Sequence, residues 1–224
     1  MRKEETMTYW TRFIISMVLV GSFYVFNKYL EIPTIGSFFI ALAGGMLVFI
    51  PNFYVMGFSS DLKKIEKALT SNRSVPIFNL YLALGSRDDE KVDICVEALL
   101  NKYKLPSRQA LFKTIHAMYK EEILTVKEEI KLIKPQTYQY YYEALLCIEE
   151  FNITSAEKYI DMIDKPWMKL VLLSTLKLRL GDDLEAYQLS LQALEQSKGI
   201  QKYAIYKSME KEFPQFMLHN QQVV

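Results

Sequence analysis

Between Glu31 and Asp61 the chain has no Lys, Arg, His, Asp or Glu, and a second uncharged run, Phe13 to Asn27, lies just upstream. A helix needs roughly 20 mainly apolar residues to cross the hydrocarbon layer. The pattern therefore predicts a transmembrane hairpin over residues 1–58, with spans over about 10–30 and 34–58. Arg12 and Lys28 would snorkel outward at the two ends of the first span. Tyr9, Trp10, Tyr24, Tyr29, Phe53 and Tyr54 suit interfacial belts. Lys28 to Thr34 is long enough only for a turn, and Pro33 suits one. Pro51 removes a backbone donor and would kink or end the second helix near the interface. A cleaved leader is the competing reading of the first run. However, Phe26 to Glu31 is bulky where a cleavage site needs small residues, so a retained helix is the better fit.

Flanking cations set the expected orientation. Arg2, Lys3 and Arg12 precede the first span, and Lys63, Lys64, Lys67 and Arg73 follow the second, whereas the turn holds Lys28 alone. Both termini are thus expected in the cytoplasm, at the cell membrane. Ser37, Ala41 and Gly45 recur every fourth residue on the second span, the spacing that lets another helix approach closely. That helix is either the first span of the same chain or one from another subunit. Lys63, Lys64 and Lys67 would also meet anionic lipid headgroups.

Residues 59–224 are long enough for one domain of ordinary size. Residues 1–58 contain four of the 27 Lys/Arg and three of the 26 Asp/Glu, which leaves 23 of each for the remainder. So balanced a domain lacks the uncompensated basic face of a general nucleic-acid binder. Cys95 and Cys147 sit among apolar helical positions and are expected as reduced, buried thiols. Abundant Lys, Ile and Tyr with little Arg point to a bacterial source.

Apolar spacing beyond Asp61 is helical throughout, with no alternating run long enough for a strand. Helices are expected at Leu62 to Leu69, Pro76 to Leu84 (closed by Gly85), Asp89 to Tyr103, and from Pro106 past Met118. A short one should follow over Val126 to Ile133. Further helices fit Tyr138 to Phe151, Thr154 (as cap) to Ile163, Pro166 to Leu180, Leu184 to Ser197, and Gln201 to Glu212. The fold class is all-α. A helical part at 59–134 precedes helical hairpins at 135–213 and a frayed tail at 214–224.

Gly181, Ala186, Ala193 and Leu194 have the spacing of the second half of a tetratricopeptide repeat, and residues 166–198 resemble that family. The unit before is a poorer copy: Ala156 keeps its place, but Phe151 stands where the glycine belongs. The interval from Ala156 to Ala186 is 30 residues, short for the family. Gly85 with Ala98 and Leu99 is a weaker echo. The resemblance implies a superhelical groove that binds peptides or other proteins, and no chemistry; a generic helical bundle is the alternative.

The residues themselves suggest no reaction. His116 and His219 belong to no metal-binding spacing. The paired glycines, Gly44 and Gly45, fall within the predicted second span, so no phosphate-cradling loop is available. Carboxylate pairs such as Glu149-Glu150 and Asp182-Asp183 fall at helix starts or on polar faces. No catalytic, cofactor or metal residue is expected. Tyr138, Tyr140, Tyr141 and Tyr142 form the most unusual local run, since four rings so placed cannot share one buried stripe. They are either core and inter-helix contacts or an aromatic docking surface for a protein partner. The sequence thus suggests a membrane-anchored adaptor or scaffold. The alternative is an accessory subunit of an integral membrane complex, assembled through the hairpin.

Overall fold

The computed structural model describes residues 54–220 together with positions 17, 18, 21 and 22, all four helical. The chain divides into two compact units, 1–58 and 59–224. Ser37, Ala41 and Gly45, and most of both expected spans, lie outside the described residues. Among those that are described, no helix is long and apolar enough to cross a membrane. Residues 54–58 are helical, and the rings of Tyr54 and Phe58 stack at 5.7 Å.

The second unit is all-α and built of sequential helix pairs. Helix α1 (Leu62–Ser71) leads into α2 (Pro76–Ser86) with α3 (Asp89–Lys102). Next, α4 (Pro106–Tyr119) is followed by a 3₁₀ turn (Ile123–Val126) and the short α5 (Lys127–Ile130). The third and fourth pairs are α6 (Gln136–Glu149) with α7 (Ile153–Asp161), and α8 (Pro166–Arg179) with α9 (Asp183–Gln196). Helices α10 (Gly199–Glu212) and α11 (Pro214–Asn220) are the last of the described residues. Prolines open α2, α4 and α8, where a missing N–H costs nothing.

One turn recurs between the paired helices. Arg87, Glu121, Phe151 and Gly181 all have positive φ, at 56°, 62°, 58° and 84°, and they are 34, 30 and 30 residues apart. After each, the next N–H reaches back five residues: Asp88 to Ala83, Glu122 to Ala117, Asn152 to Cys147 and Asp182 to Lys177, at 2.7–3.3 Å. This is the Schellman closure of a helix end. In three of the four, the same residue then caps the following helix: Asp88, Asn152 and Asp182 each accept from the backbone N–H three positions on. Glu122 makes no such cap, and there the second helix starts as a 3₁₀ turn and stays short.

Burial follows the same count. Seven residues before each turn lie Leu80, Thr114, Ala144 and Ser174; five after it lie Val92, Val126, Ala156 and Ala186; all eight are buried. Small residues at both places bring α6 against α7 and α8 against α9. Phe151 thus occupies the conformation that Gly181 does, although it is not glycine. Gly181→Ala is expected to cost about 1 kcal/mol through left-handed strain, and Phe151→Gly to recover a comparable amount. Thermal melts of the two variants would test this; equal and opposite shifts are expected, and a destabilised Phe151→Gly would contradict it.

Three details differ from the sequence expectation. Gly85 does not close α2 but lies inside it: a Cβ there would come 2.7 Å from the Tyr203 hydroxyl, so glycine serves a close approach to α10. Asn152, not Thr154, caps α7, because its side-chain oxygen already accepts from the Ser155 N–H at 3.2 Å. The segment expected to fray begins as helix α11, because Phe216 stacks on Tyr187 at 4.8 Å and gives that helix an apolar anchor.

Helix α10 packs against α9 and also returns to α1 and α2. The Gly199 N–H donates to the Ser59 carbonyl at 2.8 Å, and Lys211 reaches Glu121 at 3.0 Å. The pairs therefore curve far enough for the last full-length helix to meet the first.

Candidate functional site

The first helix of each pair and α10 line a groove of about 680 Å³ within the second unit. The repeated turn dictates which side chains face it. Ten residues before the turn, Ile77, Tyr141 and Val171 line the wall, and Gln201 continues the series one unit on; six before, Tyr81, Ile115 and Thr175 do, followed by Ile205. Most of the wall is apolar or aromatic, the composition of a recognition site.

Of the four tyrosines singled out by sequence, three meet here. Tyr138, Tyr141 and Tyr142 share one face of α6 and line the groove. Tyr140 points elsewhere and packs its ring on Tyr159 at 6.1 Å. Lys165 lies over the Tyr138 ring at 4.7 Å and donates to its hydroxyl at 3.5 Å, a cation–π contact with a long hydrogen bond. Tyr142 is only 7% exposed, and its ring meets that of Tyr141 edge-on at 5.3 Å. Trp167 also lines the groove, half-buried between two apolar clusters.

Sequence reasoning missed Tyr81, Tyr119 and Tyr203, which α2, α4 and α10 bring to the same wall. The signal that finds Tyr81 is the 30- to 34-residue count back from Thr175, visible only once the turn residue of each pair is known.

Burial pushes the phenols of Tyr81, Tyr141 and Tyr142 upward, Tyr141 to about 12. Tyr119 is also raised to about 12, chiefly because its hydroxyl donates to the Asp89 carboxylate. No hydrogen bond to the hydroxyls of Tyr81, Tyr141 or Tyr142 is found among the described residues. Ser174, by contrast, is buried and satisfied: it donates to the Ala186 carbonyl at 2.7 Å and lies 2.7 Å from the Ser190 hydroxyl.

Charges at the groove are mostly engaged with one another. Lys211 pairs with Glu121 and Glu212, Lys207 pairs with Glu210 at 2.7 Å, and Asp89 accepts from Tyr119. The Lys211 hydrogen bond holds the Glu121 carboxyl below its usual range. Arg87 is exposed and makes no ion pair or hydrogen bond among the described residues. Such pairs at a wet rim contribute little stability.

The remaining candidates lie apart from one another. His116 is half-exposed, with Nε2 2.7 Å from Asp93, which Lys120 also approaches at 3.3 Å. Cys95 and Cys147 are free, buried in different clusters, and raised by burial, which works against thiolate chemistry. Among the described residues no group of three His, Cys, Asp or Glu is placed to hold a metal ion. Lys63, Lys64 and Lys67 are exposed on α1, where Lys64 reaches Asp61 at 3.5 Å. The groove wall thus combines apolar side chains with phenolic hydroxyls. No protein-family model, curated protein or solved structure matches this chain.

Proposed function

We propose that the protein is a membrane-anchored helical-repeat adaptor, a non-enzymatic scaffold that holds a protein partner at the cell membrane through the groove of its cytoplasmic domain. The observation that carries the reading is the convergence of Tyr81, Tyr138, Tyr141, Tyr142 and Trp167 on one concave wall. Rigid aromatic side chains with a polar tip are the usual anchors of protein recognition. The recurring turn and its buried small residues support the likeness to tetratricopeptide repeats, whose superhelical grooves bind peptides. The uncharged runs before Asp61 support the two-pass anchor with both termini inside. Exposed Lys63, Lys64 and Lys67 would rest against anionic headgroups.

Two measurements test this. A cysteine at Glu31 should label from outside the cell and one at the carboxyl end should not; the reverse pattern rejects the orientation. In-cell crosslinking should compare the full chain with a version ending at Ser60. Partners are expected to disappear on truncation. Partners kept by the hairpin alone would instead make the protein an accessory subunit of an integral complex, assembled through Ser37, Ala41 and Gly45.

A further inference from the structure

We infer that the segment this groove takes is short, extended and uncharged, with apolar side chains, and that its backbone groups meet the hydroxyls of Tyr81, Tyr141 and Tyr142. The inference rests on the adaptor reading and specifies the chemistry of the partner.

Three observations carry it. The first is the buried hydroxyl. Tyr142 lines the groove at 7% exposure with no hydrogen-bond partner among the described residues, and the half-buried Tyr81 and Tyr141 beside it also lack one there. A buried hydroxyl without a partner is costly, so an occupant that supplies one is favoured. A plain alkyl chain offers no such group. A helix offers few, because its own backbone bonds consume its N–H and C=O groups. An extended chain presents both along its whole length.

The second is charge. Asp89, Glu121, Lys207, Lys211 and Glu212 already have partners, and Arg87, which has none among the described residues, is exposed at the end of α2 and keeps its hydration. A charged side chain seated among Tyr141, Val171 and Ile205 would lose its hydration without gaining a counter-ion. The wall therefore selects against charge.

The third is period. The wall takes equivalent positions from four helices, Ile77 of α2, Tyr141 of α6, Val171 of α8 and Gln201 of α10, while α4 contributes Ile115 one turn along. A repeating wall matches a repeating ligand, and a polypeptide is one. At about 680 Å³ the space admits a short segment, not a folded domain.

The test uses the full chain in its native membrane, with the photoreactive amino acid p-benzoylphenylalanine in place of Gln201 in the groove or of exposed Ile94 outside it. The probe at 201 should capture a protein, and the crosslinked stretch should contain no Asp, Glu, Lys or Arg. Tyr142→Phe should lower that capture about two- to tenfold, the worth of one hydrogen bond, while leaving the melting temperature unchanged or raised. Capture of a charged stretch, of a sequence with helical apolar spacing, or of a lipid would overturn the inference, as would unchanged capture in Tyr142→Phe. Capture at 94 but not at 201 would refute the groove occupant and leave the adaptor reading standing. No protein captured at either position would reject both.

Discussion

Leu172→Ala is expected to destabilise the helical domain by about 2–5 kcal/mol, among the largest effects of any single truncation in it. Leu172 is 0% exposed, in the middle of α8. It lies nine residues before its turn, where α4 has Phe112 and α6 has Tyr142, and all three are buried. Its loss removes apolar contacts and leaves a cavity that close-packed neighbours fill only in part. Leu180, one residue before the turn and 56% exposed, is the matched control, and its truncation should cost under about 0.5 kcal/mol. Urea titrations of the full chain in detergent, followed by helical circular dichroism, would measure both. A loss below about 1 kcal/mol at Leu172 would mean that α8 is not clamped in the core as described.

What sequence revealed and what it hid follow from how local each signal is. Pro106, Pro166, Gly181 and Asp182 mark helix ends through their own backbone chemistry, and the structure places ends there. The turns at Arg87 and Glu121 escape notice, and Phe151 reads as a departure from the repeat, because none is glycine; the backbone hydrogen bonds of the closure hold them in a conformation their side chains do not favour. That is why the second and third pairs look like poor copies by sequence yet close in the same way. The tyrosine run at 138–142 was legible as unusual, and helical geometry alone separates Tyr140 from the other three. The partners of that run in the groove were not legible. Tyr81 and Tyr203 arrive from helices far along the chain, and the contact that returns α10 to the start joins Lys211 to a residue 90 positions earlier. No local rule encodes a pairing at that distance.

Raising the pH from 9 to beyond 12 is expected to unfold the helical domain, with the loss beginning near pH 10. The phenols of Tyr81, Tyr141, Tyr142 and Tyr203 are raised chiefly by burial, and that of Tyr119 chiefly by its bond to Asp89. Below the ordinary phenol value of about 10, folded and unfolded chains both keep these protons, so stability is independent of them. Above it the unfolded chain releases protons that the folded chain retains, and stability falls as pH rises. The loss continues until the folded phenols also ionise, at about 12 for Tyr141. At about 1.4 kcal/mol per unit, Tyr141 alone accounts for up to about 2.7 kcal/mol, less a discount because its ring is only half-buried. Tyr142 acts in the same direction from a more deeply buried site. Against a typical total of about 5–15 kcal/mol, several such groups are enough to tip the balance. Phenolate absorbance and helical circular dichroism recorded on the same titration would decide it. Exposed tyrosines should ionise first with the helix signal intact, and the groove tyrosines should ionise together with its collapse. Tyr142→Phe should move that collapse to higher pH. Complete ionisation of the tyrosines near pH 10 with the helices still folded would mean that the groove hydroxyls are hydrated, and the case for an occupant that satisfies them would fall with it.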